Sequence, residues 1–112
     1  MPALTLLYRV LLETCGYGVK VFNHRVEALA ALKADQRKPQ LLITDYLGPS
    51  LPVDLFMHDC RAIHPSLRIL MISGFNREDL RFTRVRPDRF IRKPFTFEEF
   101  HLEVHAALSQ GM

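Results

Sequence analysis

The sequence has few of the features that mark secreted, membrane or metal-binding proteins. Its two cysteines, Cys15 and Cys60, lie far apart without a CxxC motif or a Cys/His ligand spacing, so we expect reduced thiols in a cytosolic protein. No apolar run approaches the ~20 residues of a membrane span. Residues 1–12 lack the basic start and the small-residue cleavage site of a signal peptide. We therefore expect a cytoplasmic protein without a membrane partner.

The chain also lacks the patterns that are typical of nucleotide and nucleic-acid binding. No glycine-rich phosphate loop occurs, which argues against nucleotide binding. The net charge of +3 is slight, and the arginines between Arg81 and Arg92 lack the aromatic interleaving of a nucleic-acid platform. Direct nucleic-acid binding is therefore not expected. His101 and His105 lie four residues apart with no third ligand, so we interpret them as a solvated helix face.

The elements that are present alternate between helix and strand. The 112 residues, of which 48% are apolar and 24% charged, predict one globular domain over 1–112. Helical spacing and short branched runs predict helices from Pro2 to the glycines at 16 and 18 and over 26–34, 54–63, 77–83 and 97–108, and strands over 19–22, 41–45, 68–73 and 89–92. Asn23 and Asp54 are interpreted as helix caps, and Thr96 with Glu99 as a capping box. This order is typical of a parallel α/β sheet.

Three of the predicted strands end on polar side chains, namely Asp45, Ser73 and Lys93. In parallel sheets the carboxyl ends of the strands lie at one edge, where ligands gather. A carboxylate there can attack a phosphoryl group, a lysine can neutralise its charge, and a hydroxyl can donate to its oxygen. Each residue also has an ordinary explanation: a turn-capping aspartate, a turn serine and a surface lysine.

At these positions the chain resembles the receiver domain of bacterial response regulators. The resemblance rests on residues 43–49 (ITDYLGP), 71–74 (MISG) and 90–95 (FIRKPF), and it is nearest to receivers attached to hybrid histidine kinases. It implies a flavodoxin-like, three-layer α/β/α parallel sheet of order 2-1-3-4-5. It makes Asp45 the phosphoacceptor, Ser73 the switch hydroxyl, Lys93 the phosphate-binding lysine and Phe90 the aromatic that changes rotamer. The implied partner is a histidine kinase or a phosphotransfer protein, and the domain is not expected to be an enzyme.

The chain departs from this family at its start. Receivers begin with a strand ending in two acidic residues that hold Mg²⁺ together with the phosphoacceptor, whereas here Met1 occupies the place where those acids should end. Four strands are therefore expected instead of five. Mg²⁺, the cofactor implied by the family, is expected to bind weakly to Asp45 and a carbonyl such as that of Leu47. Phosphorylation is then expected to be slow or absent.

The missing strand would lie between residues 19–22 and 41–45, so its absence leaves two unpaired edges inside the sheet. Three outcomes are open: the 19–22 strand shifts to pair with 41–45, another chain fills the gap as a homodimer or strand-exchanged dimer, or the domain is marginally stable. The natural protein beginning further upstream is a further explanation. The alternative function is a degenerate pseudo-receiver that acts as an interaction module without phosphate. A third and weaker alternative is a flavodoxin-like protein that binds a cofactor, since no phosphate-cradling loop follows a first strand.

Overall fold

Helices and strands alternate along the part of the chain that this computed structural model describes, residues 2–36, 38–47 and 51–109, with the backbone alone for 2–7. The four α-helices are α1 (Pro2–Thr14), α2 (Arg25–Ala34), α3 (Val53–Ile63) and α4 (Phe97–Ser109). The three strands are β1 (Leu41–Asp45), β2 (Arg68–Ser73) and β3 (Arg89–Arg92). Gly16, at a φ of 93°, ends α1 in the left-handed conformation that glycine favours, as its position predicts.

The strands form a parallel sheet in the order β1-β2-β3. In β1, Asp45 is paired in register with Ile72 of β2, and in β3, Arg92 is paired with Ser73 of β2. The carboxyl ends of all three strands therefore lie at one edge. Two hydrogen bonds continue the ladder past that edge: Tyr46 N donates to Ile72 O at 3.1 Å, and Lys93 N donates to Ser73 O at 2.8 Å.

Helices cover both faces of the sheet, because the side chains of β2 alternate between two apolar cores. On one face, Ile69 and Met71 pack with Phe56, Met57 and Cys60 of α3 and with Leu32 of α2. On the other, Leu70 and Ile72 pack with Leu12 of α1, Ile91 of β3 and Phe100 and Val104 of α4. This three-layer α/β/α arrangement confirms the predicted fold class. No helix in the described ranges is long and apolar enough to cross a bilayer.

The segment Val19–Phe22, predicted to be a strand, is not one in the structure. Its exposure still alternates, with Val19 and Val21 half-buried and Lys20 and Phe22 exposed. Val19 packs against the same core as Leu41 and Ile43, but in the described chain β1 is paired with β2 alone. The shift of this segment onto β1, one of the three outcomes left open by the sequence, therefore does not occur. A segment needs a hydrogen-bonded neighbour to be a strand, and within the described chain residues 19–22 have none.

Three local predictions between the strands also need correction. The helix predicted over 77–83 is a single 3₁₀ turn, Arg77–Asp79. The helix α3 begins at Val53 after Pro52, so Asp54 lies inside its first turn and is not its cap. The helix α2 follows His24, with no side-chain hydrogen bond at the cap, and Asn23 does not cap it. The capping box is half present, since Glu99 N donates to Thr96 Oγ1 at 3.1 Å. Gly48 and Pro49, which follow β1, lie outside the described residues.

Candidate phosphoacceptor site

Asp45 and Lys93 form an ion pair at the carboxyl edge of the sheet, with Lys93 Nζ 3.3 Å from Asp45 Oδ1. Asp45 is the last residue of β1, and Lys93 follows β3, so the lysine reaches across the end of β2. Both side chains are partly open to solvent, with 50% of the aspartate and 40% of the lysine exposed. A carboxylate in this position is accessible to a reagent from solution and is already beside a cation.

Ser73 ends β2 between these two strands and is buried, with only 4% of its surface exposed. Its Oγ accepts a hydrogen bond from Phe75 N at 2.9 Å. A hydroxyl that accepts one hydrogen bond retains its own proton for donation. Ser73 therefore lies at the same edge as the ion pair, while its role as a switch hydroxyl stays a prediction.

Phe90 lies one strand away from Ser73, in β3, and faces the segment that joins β2 to β3 (residues 74–88). Its ring is half-buried against the α3-side core and lines a small cavity together with residues of that segment, namely Arg77, Leu80, Phe82, Arg86 and Pro87. A change of its rotamer would therefore alter its contacts with the 74–88 segment. The predicted rotamer change itself stays a prediction.

A carboxylate in α3 holds the 74–88 segment in place. Asp54 accepts hydrogen bonds from the backbone N–H groups of Thr83, Arg84 and Val85 and from the Thr83 hydroxyl. Burial alone would raise the pKa of Asp54, but these four hydrogen bonds outweigh it and lower the pKa to about 2. This explains why the segment keeps a defined path without being a helix.

Tyr46 joins the same segment to the end of β1. Its ring makes edge contacts with Phe75 and Phe82, at centroid distances of 6.2 and 5.9 Å, and its hydroxyl accepts a hydrogen bond from Arg81 N at 3.4 Å. Tyr46 directly follows Asp45, so a movement of the Asp45 backbone would also move the ring that makes these contacts.

Arg25, the first residue of α2, binds the backbone on the other side of Asp45. Its Nη2 donates to Asp45 O at 2.6 Å and to Tyr46 O at 3.3 Å, and its Nη1 donates to Leu51 O at 2.8 Å. Partial burial lowers the pKa of Arg25, and the charge of Asp45 opposes that effect. The guanidinium remains charged at any physiological pH. The chain end of β1 is therefore flanked by two cations, Lys93 and Arg25.

The residues described at this edge do not form a ligand set that suits a Mg²⁺ ion. Mg²⁺ requires near-octahedral oxygen ligands, usually with one or two carboxylates. In the described parts of the chain, no three His, Cys, Asp or Glu side chains lie close enough together to hold a metal. Asp45 Oδ1 faces the Lys93 ammonium, and Asp45 O is bound by the Arg25 guanidinium. The charged groups in contact with Asp45 are therefore cations and not further carboxylates.

Sequence reasoning did not find Arg25, Tyr46 or the true role of Asp54. Arg25 and Asp54 act on backbone groups 20 to 31 residues away, and no local pattern reports such contacts. A tyrosine directly after the candidate phosphoacceptor was visible in the sequence, but nothing near it predicted the contact with Arg81. Because a helix is predicted at 77–83, the irregular backbone that Asp54 binds was not expected there.

Comparison with known proteins gives matches among solved structures only: no family model and no curated protein matches the sequence. A response regulator receiver protein from Sinorhizobium medicae is 24% identical, with a TM-score of 0.82 over 96% of this chain and 87% of its own. The receiver domain of NtrX from Brucella abortus is 27% identical, with a TM-score of 0.77 over 94% of this chain and 89% of its own.

A third similar structure is the receiver domain of a sensor histidine kinase from Pseudomonas aeruginosa, which has a magnesium ion coordinated in its active site cleft. It is 14% identical, with a TM-score of 0.82 over 98% of this chain and 92% of its own. These matches cover nearly all of the chain and confirm the resemblance that residues 43–49, 71–74 and 90–95 predicted. The chain has the flavodoxin-like fold of the response regulator receiver domains.

Proposed function

We propose that this chain is a receiver domain of a two-component phosphorelay that takes a phosphoryl group onto Asp45. The observation that carries the proposal is the contact of Lys93 Nζ with Asp45 Oδ1, 3.3 Å apart, at the carboxyl edge of a parallel sheet. The fold shared with receiver domains supports it. The domain acts as a signalling module in the cytoplasm and not as an enzyme.

The donor in this proposal is a phosphohistidine on a histidine kinase or a phosphotransfer protein. A carboxylate oxygen of Asp45 forms a bond to phosphorus, the P–N bond breaks, and its electron pair leaves with the imidazole. The ammonium of Lys93 neutralises part of the phosphoryl charge. Leu47 and Phe75, 66% and 48% exposed, follow β1 and β2 at this edge and offer apolar contacts to a protein donor.

The signal in this proposal leaves through the 74–88 segment. Added negative charge on Asp45 attracts the proton of Ser73, whose Oγ already accepts from Phe75 N. Tyr46 and Phe90 both contact the same segment. Phosphorylation therefore shifts the population between two arrangements of residues 74–88.

The experiment is incubation of the purified protein with a phosphorylated histidine kinase or with acetyl phosphate, with and without Mg²⁺. We expect one phosphoryl group per chain, removed by alkali as an acyl phosphate, and none on Asp45→Ala. Asp59→Ala, which removes a partly exposed carboxylate from α3, is the matched control and should label like the wild type. Absence of label under every condition would refute the proposal.

The second candidate is a pseudo-receiver that binds a partner without phosphate, and the free edge of β1 favours it. In the described chain, β1 pairs with β2 on one side only, and Leu41, Leu42 and Ile43 remain half-buried. An open strand edge is a template for pairing with another chain, including a second copy. Light scattering over a wide concentration range tests this, with association expected to be equal in the wild type and Asp45→Ala. A strictly monomeric protein at high concentration would contradict it.

A further inference from the structure

Arg25 brings a second positive charge to the end of β1, where Lys93 already lies beside Asp45. Arg25 begins the helix that follows residues 19–22, and it reaches the backbone at the end of β1, with Nη2 2.6 Å from Asp45 O. The guanidinium is therefore close enough to Asp45 for the two charges to interact.

We propose that Arg25 replaces the divalent cation of this site, so that Asp45 is phosphorylated without Mg²⁺ and the phosphoryl charge is shared between Arg25 and Lys93. This inference rests on the proposed function of Asp45 and adds which side chains neutralise the phosphoryl charge. With Arg25 and Lys93 positive and Asp45 negative, the site carries a net charge of +1 before a phosphoryl group arrives. A phosphoryl group at Asp45 adds the negative charge that this excess balances.

The contacts suit Arg25 to holding the loop after β1 better than they would suit a lysine. Its guanidinium is a planar fork that holds Asp45 O, Tyr46 O and Leu51 O at the same time. Those carbonyls belong to both ends of the loop that follows β1, so one side chain fixes the loop and delivers a charge beside the carboxylate. Arg25 is half-buried, which keeps its charge less screened than that of an exposed arginine.

The reaction with acetyl phosphate balances without a metal. An Asp45 carboxylate oxygen forms the new bond to phosphorus, the bond from phosphorus to the acetate oxygen breaks, and that electron pair leaves with acetate. No proton, oxidant or further reactant is required. The charge of the transferring group is met by Lys93 on one side and by Arg25 on the other.

The test compares the rate of Asp45 labelling by acetyl phosphate in excess EDTA and in millimolar Mg²⁺. For the wild type we expect rates that agree within about twofold, since the stabilising charges belong to the chain itself. When the protein is titrated with Mg²⁺ alone, the NMR amide signals of residues 45–47 should not shift. Labelling that requires Mg²⁺ would overturn the inference and leave the proposed function intact, whereas no labelling under either condition would overturn both.

Variants separate the charge of Arg25 from its contacts with the loop. Arg25→Gln loses the charge and should label about tenfold more slowly in EDTA. Arg25→Lys keeps the charge without the fork and should retain most of the rate. Arg9→Gln, an equal loss of charge at an exposed α1 residue paired with Glu13, should match the wild type. Equal losses in Arg25→Gln and Arg25→Lys would assign the arginine to loop structure alone and overturn the proposal, as would no loss in Arg25→Gln. Circular dichroism confirms that each variant is folded.

Discussion

Replacing Asp54 with asparagine removes the carboxylate that holds the 74–88 segment against α3. A pKa of about 2, against 3.8 for an ordinary aspartate, corresponds to about 2 kcal/mol of stabilisation of the folded state at neutral pH. Asparagine keeps one acceptor oxygen for the N–H groups of residues 83–85. We therefore expect Asp54→Asn to lower the free energy of unfolding by about 2 kcal/mol at pH 7. Urea denaturation followed by circular dichroism measures this loss.

The pH dependence tests the cause of that loss. A carboxyl group whose pKa is lowered on folding contributes stability above its unfolded pKa of 3.8, and this contribution disappears as the pH falls toward 2. The difference in unfolding free energy between the wild type and Asp54→Asn should be constant above about pH 5, fall to a small fraction near about pH 2 and vanish below that. Asp79→Asn, at an exposed carboxylate in the same segment, should change little at any pH. A difference that persists unchanged at pH 2 would refute the argument, because it would come from packing and not from charge.

Three further substitutions test other parts of the structure by urea denaturation. Lys93→Gln should lower the free energy of unfolding by less than about 1 kcal/mol, because the ion pair with Asp45 is half-exposed. The same substitution should abolish labelling by acetyl phosphate. A large loss of stability would contradict this expectation. Gly16→Ala should destabilise by about 1 kcal/mol through its φ of 93°, and an unchanged midpoint would argue against that conformation. Phe100→Ala should cost about 3–5 kcal/mol, because its buried ring stacks on Tyr8 at 5.1 Å, whereas exposed Leu102→Ala on the same helix should change stability by less than about 0.5 kcal/mol.

The three strands of the sheet were predictable from the sequence because each is a short run whose own residues report its burial. In β2, Ile69, Leu70, Met71 and Ile72 are all buried, which is the continuous apolar pattern of a strand covered on both faces. The chain end of each strand is a polar residue, so parallel order alone predicted that Asp45, Ser73 and Lys93 share an edge. The geometry agrees for the pair at 3.3 Å.

Residues 19–22 and 77–83 differ from the prediction because partners elsewhere in the chain decide their conformation. Val19–Phe22 has the alternation of a strand, but a strand also needs a hydrogen-bonded neighbour, which its own residues cannot report. Residues 77–83 have weak helical spacing, and the hydrogen bonds from Asp54 draw the backbone of residues 83–85 toward α3 instead. In both cases the deciding partner is distant in the chain.

The amino-acid sequence alone determined the order of the elements, the fold class and the positions of the carboxylate, hydroxyl and ammonium groups, because hydrophobic period and strand-end residues are local properties. Only the tertiary structure decided what surrounds Asp45: the Arg25 guanidinium on its carbonyl, and the Asp54 carboxylate that holds the facing segment. Both contacts join a side chain to backbone groups, and backbone groups are identical at every residue. The sequence therefore cannot specify such pairs until folding has brought them together.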